Sequence, residues 1–319
     1  MMIDLPIRRG YEGWYRVSTT QFLRMRPLWV KYDGDEAVTD YQVRCVLTSS
    51  DIPFEKLRSD KNDILFVNKD NEVIPYWIEK IDNDEIIVWL KFPQITPGKE
   101  VFWLYYGNGN FQGYASSGDD IFIFFDDFED YPIGSHPSKW IDGDIGDGYS
   151  KVTNTTSYHG TKCLVQNAKE DGARISKIAD GGPWGNVAVS SMYYDRGGLN
   201  VVLVGTYEPA DDPASDGNEW VYLRHNTSNY VYREVSDGGD TGNTDTGIPR
   251  KVNQWVRFEF RYFDGELKLY IDGQLVHSTT KVDNVGRILL KDWWASTDDD
   301  YHDLVIVRKY VEPEPTIIV

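Results

Sequence analysis

The sequence predicts an all-β protein built as two successive antiparallel sandwiches, a smaller one ahead of a larger one. Three observations carry that expectation. Segments of strand length with two-residue alternation recur between Gly, Pro, Asn and Asp turn signals, and no stretch of consequence keeps a helical period. Aromatic residues make up 14% of the chain, with 11 Trp and 21 Tyr, and such usage suits sheet faces. The stretch 121–130, IFIFFDDFED, is apolar for five residues and then abruptly acidic, and Tyr131, Pro132, Gly134 and Pro137 follow it as a turn-rich run. An apolar run bounded in this way reads as a strand buried on both faces, so 121–128 is placed as the strand that opens the second module.

In the first module a strand starts at 14–18, and Asp33, Gly34 and Asp35 make a turn. Residues 41–47 (YQVRCVL) then alternate, with Tyr41, Val43, Cys45 and Leu47 on one face. Strands follow at 64–67 and 74–81, with Pro75 marking an edge or a strand start. Asp82, Asn83 and Asp84 turn the chain into 86–92 (IIVWLKF), and Pro97 and Gly98 precede 101–106 (VFWLYY). The series W-Y-R (14–16), T-D-Y-Q-V (39–43), D-I-x-F (63–66), P-Y-W-I-E (75–79), V-W-L-K-x-P (88–93) and L-Y-Y-G-N (104–108) resembles a domain family of unknown function over about residues 12–118. That family recurs in archaeal and bacterial surface and secreted proteins, often just upstream of a concanavalin-like domain. The resemblance implies fold and context for a module spanning 1–118, and it supplies no catalytic residues.

In the second module, Phe258, Phe260 and Tyr262 alternate with Arg257, Glu259 and Arg261, giving one buried and one wet face. Tight turns follow at 263–266 and at Asp272–Gly273, and the polar segments 208–218 and 236–246 read as long loops. Residues 125–129 (FDDFE) with Trp140 resemble the opening of concanavalin A-like, laminin-G-type jelly rolls. Residues 157–164 (SYHGTKCL) resemble their next strand, 255–262 (WVRFEFRY) a central strand, 267–272 (LKLYID) a hairpin and 303–310 (DLVIVRKY) the closing strand. The resemblance implies a jelly roll over 119–312, packed against the first module, and leaves 313–319 as a C-terminal tail. Because that fold hosts lectins, adhesion modules and glycosidases alike, it implies no single activity.

Composition bounds the function. The chain has 319 residues and 40% apolar content, enough for two cores at about 150 residues per domain. A net charge of −18 with no basic stripe argues against a nucleic-acid partner. No apolar run approaches the ~18 residues of a membrane helix. The first residues, MMIDLPIRRGYEGWYR, lack the layout of a signal peptide, which leaves another export route, a removed signal or release within a particle all open. Cys45 and Cys163 fall in different modules and read as buried thiols, with a bridge left open.

Candidate sites follow from residue type. Trp220, Tyr222 and Arg224 alternate along one strand, and Tyr230 and Tyr232 return after a turn at 226–229. A strip of this kind on an open sheet face offers a sugar ring a stacking plane beside polar donors, so these five are the expected ligand-binding residues, with core packing as the competing role. Trp293 and Trp294 beside Asp298–Asp300 form a second such surface. The jelly-roll resemblance also implies a structural Ca²⁺ held by Asp127, Glu129, a carbonyl at Gly160 and Asp303, with solvated strand-end acids as the alternative. Residues 142–148 (DGDIGDG) miss the EF-hand spacing and read as a turn. No strand carries the paired carboxylates of a glycosidase, and Glu259, between two arginines, is expected to be ion-paired. The sequence therefore predicts a non-catalytic extracellular or cell-surface protein that recognises a glycan or glycosylated surface. A structural subunit of a virion or appendage, partnered by its own copies or by other virion proteins, is the alternative, and a glycosidase a third class.

Overall fold

A computed structural model of the chain describes residues 22–111, 113–142, 146–169, 174–180, 182–196, 201–205, 219–236, 239–293 and 299–319. The first strands are β1 (Arg24–Tyr32), β2 (Val38–Thr48), β3 (Ile64–Val67), β4 (Tyr76–Ile81), β5 (Glu85–Ile95) and β6 (Gly98–Tyr106). After a helical turn α1 (Gly118–Ile121) come β7 (Phe124–Asp126), β8 (Ile141–Asp142), β9 (Gly148–Thr153), β10 (Cys163–Ala168), β11 (Arg174–Asp180), β12 (Val187–Tyr194), β13 (Val201–Gly205) and β14 (Trp220–His225). The series continues with β15 (Asn229–Ser236), β16 (Gly239–Asp240), β17 (Thr244–Pro249), β18 (Trp255–Phe263), β19 (Glu266–Ile271), β20 (Gln274–Thr279), β21 (Arg287–Trp293), β22 (Asp300–Lys309) and β23 (Thr316–Ile318). The chain divides into two compact units, Met1–Ser117 with Pro315–Val319, and Gly118–Glu314. Among the described residues no helix is long and apolar enough to cross a membrane.

The first unit pairs a sheet of order β23-β1-β6-β3 with one of order β2-β5-β4, all antiparallel. Tyr41, Val43, Cys45 and Leu47 are all buried, as their period-two spacing predicts. Edge-to-face contacts of Phe66 with Tyr76 (5.1 Å) and Phe92 with Phe102 (5.4 Å) cross from one sheet to the other. The Asp82 turn holds as expected, because its Oδ1 accepts from Asp84 N and Glu85 N at 2.8 and 2.9 Å. The strand expected at 14–18 lies outside the described residues. Residues 313–319 are not a free tail, since β23 pairs with β1 at Trp29, Val30 and Lys31. Pro27, which hides β1 from a sequence reading, sits beyond the pairing with β23 and stands opposite Trp103 of β6.

The second unit is an antiparallel jelly-roll sandwich. One sheet runs β20-β19-β18-β12-β22-β10-β9 with β7 on β22, and the other β16-β15-β14-β13-β21-β11-β8 with β17 on β15. Their shared core joins Val189, Phe258, Phe260 and Val307 from the first sheet to Val202, Leu223, Ile288 and Leu290 from the second. Phe258, Phe260 and Tyr262 face it as the alternation predicts. β7 and β22, the opening and closing strands, pair directly, with Val305 opposite Asp126.

Three expected elements differ. The opening strand is shorter than 121–128: Ile121 ends α1, and Phe128, at φ +59, leaves the extended region. The segment 157–162 is a loop ahead of β10, bent at Gly160, whose φ is +60. Within 236–246, read as a loop, the chain forms β16 and enters β17 at the edge of β15, while 208–218 lies outside the described residues. Cys45 and Cys163 are free and buried, and burial pushes the Cys45 thiol up to about 12.

Candidate functional site

The register of β14 on β15 divides the five expected ligand-binding residues between two faces. Arg224 stands opposite Val231, Leu223 opposite Tyr232 and His225 opposite Tyr230. Directly opposed residues share a face, so Tyr230 and Tyr232 lie with Leu223 on the core side. Tyr230 is fully buried there against Phe258, and Tyr232 stacks on His277 at 4.0 Å. Trp220, Tyr222 and Arg224 do share the outer face. Trp220 and Tyr222 are nonetheless 8% and 1% exposed, stacked at 5.3 Å over Leu289, with Arg233 5.5 Å above Trp220 and the Tyr222 hydroxyl donating to Asn243 at 2.7 Å. Trp220, Tyr222 and Tyr230 are thus packed interior, while Arg224 and Tyr232 are half-buried. Of the second expected surface, Trp294 and Asp298 lie outside the described residues.

The outer face of the other sheet has a different character. Lys151, Val165, Tyr301, Tyr194 and Trp255 stand directly opposite one another across β9, β10, β22, β12 and β18. Four steps of about 4.8 Å give this row a span of ~19 Å. Val165 and Tyr301, 3% and 2% exposed, form its floor, while Tyr194 and Trp255 are half-buried and Lys151 is exposed. The rings touch in sequence: Tyr194 meets Trp255 at 5.1 Å and Tyr301 at 6.0 Å, and Tyr158 meets Trp255 at 6.3 Å. Beside the row, the Tyr149 hydroxyl and Asn167 Nδ2 (3.0 Å) both donate to Asp299. Burial, and then Asp299, raise the Tyr149 hydroxyl above its ordinary value, so it remains a donor. The result is an aromatic platform whose half-exposed rings, Tyr149, Tyr158, Tyr194 and Trp255, flank the buried Val165 and Tyr301 and are edged by polar groups.

The four residues expected at a calcium site do come together, at the end of β7 and β22, but they hold a loop. Asp303 Oδ2 accepts from Tyr158 N and His159 N at 2.7 and 2.9 Å, and its Oδ1 from Leu304 N at 2.7 Å. Glu129 Oε1 accepts from Thr161 N and Lys162 N at 2.6 and 2.5 Å, and its Oε2 from the Thr161 hydroxyl at 2.9 Å. Lys162 Nζ donates to the carbonyls of Glu129 and Tyr131 at 2.6 and 2.9 Å. Asp127 Oδ1 takes Glu129 N at 3.2 Å, and its Oδ2 lies 3.7 Å from His159 Nε2. Any side chain at Gly160 would meet Glu129 Cδ at 2.5 Å. Ca²⁺ takes about 6–8 oxygen ligands, and here N–H donors and an ammonium already engage them. As placed, this donor set does not fit a calcium ion, and among the described residues no group of three or more His, Cys, Asp or Glu is arranged to hold a metal. Burial raises Asp303 well above the ordinary carboxylate value, against three backbone donors that lower it.

Glu259, a carboxylate on this face, is ion-paired. Glu259 pairs with Arg261 at 3.0 Å and Arg308 at 3.1 Å, as its place between arginines predicts. Although its burial favours the neutral form, Arg308 and Arg261 hold Glu259 below the ordinary value.

A family model described as "Domain of unknown function (DUF2341)" matches residues 60–143. The match starts later than the resemblance at 12–118 and runs past Ser117 to include the FDDFE segment and Trp140. No curated protein sequence matches the chain. Among solved structures, the chain is similar to one from work on endo-acting O-glycanases of the human gut microbiota (10% identity, TM-score 0.45, 60% of this chain and 100% of that one). It is also similar to carbohydrate binding module CBM66 from Bacillus subtilis (12%, TM-score 0.35, 59% and 100%) and to the cellulose induced protein Cip1 (11%, TM-score 0.43, 59% and 97%). Likenesses of this strength carry nothing about activity to this chain.

Proposed function

We propose that the chain is a non-catalytic, extracellular or cell-surface recognition protein that binds a glycan along the Trp255–Tyr194–Tyr301 row. The observation that carries this reading is the row itself: five strands distant in sequence place an aromatic floor and half-exposed rings in register on one sheet face. Sugar rings are recognised by stacking on aromatic faces while nearby polar groups bond the hydroxyls. Trp255, Tyr194 and Tyr158 supply the faces, and Asn167, Asp299 and the Tyr149 hydroxyl supply donors and acceptors. Recognition is favoured over hydrolysis because a retaining glycosidase needs two available carboxylates about 5 Å apart. Among the described residues, Glu259 is bound by two arginines, Asp303 is covered by three N–H groups and Asp299 accepts from Tyr149 and Asn167.

A glycan array probed with the full chain, the Trp255→Ala variant and the Tyr222→Phe variant tests this. Trp255→Ala should weaken binding about tenfold or more, whereas Tyr222→Phe, on the other sheet, should leave it unchanged. Equal binding by Trp255→Ala and the parent, with both shown folded by circular dichroism, would overturn the proposal.

A further inference from the structure

We infer that the glycan this platform takes is anionic, with carboxylate- or sulfate-bearing sugar rings lying toward its Tyr149 end; the inference rests on the platform reading above. The observation behind it is a local reversal of charge. The chain carries −18 overall, yet Lys151 and Lys169 place their ammonium groups 4.6 and 5.4 Å from the centroid of one ring, Tyr149. Both lysines are exposed, and neither forms an ion pair with a described residue. Most other surface lysines of this unit behave differently: Lys139, Lys251, Lys268 and Lys281 each sit on a carboxylate. An anion near this ring would gain charge-assisted hydrogen bonds from these ammonium groups.

The register shows where such an anion would lie. Lys151 is the end member of the row that runs to Trp255, and Tyr149 precedes it by two residues on the same face of β9. The exposed Arg196 adds a guanidinium beside the Tyr301 hydroxyl, in the middle of the row. Asp299, an acid on this flank beside the exposed Asp147, is turned to the hydroxyl end of Tyr149, where it accepts from that hydroxyl and from Asn167. A chain of sugar rings stacked on Tyr194 and Trp255 would thus meet three cationic side chains at its other half. Aromatic faces supply contact area for a ring of any charge, and the cations select the anionic ones.

Binding of the full chain to four immobilised polysaccharides separates the possibilities. Polygalacturonate and its methyl ester differ in the carboxylate charge and a small methyl group, and dextran sulfate and dextran in sulfate. At least one charged member should bind about tenfold more tightly than its neutral counterpart, and the preference should shrink as salt is raised. Which charged member binds identifies the anion as carboxylate, sulfate or either. The Lys151→Ala/Lys169→Ala variant should lose the preference and retain the weaker binding to the neutral chain. Equal binding to charged and neutral members, or a double variant that keeps the preference, would overturn the inference. If Trp255→Ala still weakens binding in that case, the platform reading survives without it. Should none of the four bind, or Trp255→Ala bind as the parent does, both fall.

Discussion

Asp126→Asn is the substitution whose consequence can be worked furthest. Asp126 is buried, and its carboxylate accepts from Phe128 N on Oδ1 at 2.9 Å, and from the Tyr131 hydroxyl at 2.8 Å and Trp140 Nε1 at 2.6 Å on Oδ2. Asparagine keeps the shape and offers one acceptor oxygen. With that oxygen on Tyr131 and Trp140, its NH₂ faces the Phe128 N–H, donor against donor, a loss of about 1–3 kcal/mol. Charge acts in the opposite sense. Burial outweighs the three donors and pushes the Asp126 carboxyl from 3.8 up to about 6. The folded protein therefore holds this proton more tightly than the unfolded chain does. Its stabilising effect is complete below the unfolded value and is lost as pH rises through about 6. At about 1.36 kcal/mol per pH unit, the parent forfeits about 3 kcal/mol across that interval, and the non-titrating asparagine forfeits nothing. Asp126→Asn should accordingly be about 1–3 kcal/mol less stable than the parent near pH 4 and equal or slightly more stable at pH 7. Groups common to both proteins cancel in the difference. Urea unfolding followed by circular dichroism and Trp fluorescence at pH 4, 5, 6 and 7 measures it. A difference that stays constant within about 0.5 kcal/mol over that range would refute the buried, proton-holding carboxylate.

Two further outcomes are expected in the second unit. His302 is fully buried, neither ring nitrogen has a hydrogen-bond partner among the described residues, and burial pushes it down to about 3. The folded state then binds its proton more weakly than the unfolded chain, so stability falls as pH drops below about 6.5, by about 2 kcal/mol at pH 5. His302→Phe should remove that acid sensitivity; a variant less stable than the parent at both pH 5 and pH 7 would count against it. Calcium or a chelator should shift the melting temperature of the full chain by less than about 1 °C, because Lys162 and five backbone N–H groups already serve the seam. A rise of several degrees with calcium would show that Lys162 yields its place to the ion.

The parts of the fold legible in sequence were those fixed by local chemistry. The period-two pattern of 255–262 placed Phe258, Phe260 and Tyr262 in the core, and the FDDFE segment with Trp140 marked an opening whose cause is now visible as the Asp126–Trp140 bond. By the same alternation Trp255 belongs with Arg257 on the outer face, so one platform residue was readable in principle. Tyr194 was not, because VAVSSMYY is buried on both faces over most of its length and shows no alternation. Pairing register was the larger gap. The sum of paired positions across β14 and β15 is odd, as in 224 with 231, so even-numbered residues of the two strands point to opposite faces. Grouping Tyr230 and Tyr232 with Trp220 and Tyr222 required the neighbouring register, and one step moves every side chain across the sheet.

Long-range placement also explains why the acidic seam could be located while the loop that its acids hold could not. Asp127, Glu129 and Asp303 were predicted to converge because β7 and β22 open and close one sandwich, and their pairing brings them together. What sequence could not show is that the 157–162 loop bends at Gly160 so that successive N–H groups turn inward, two to Asp303 and two to Glu129. Backbone donors arranged in this way form a concavity for anionic groups and offset the repulsion that would otherwise require a cation. The same bonds fix the loop, and the loop carries Tyr158 to within 6.3 Å of Trp255. The acids thus position an edge of the aromatic row, with burial pushing Asp303 above the ordinary carboxylate value and three backbone donors acting against that push.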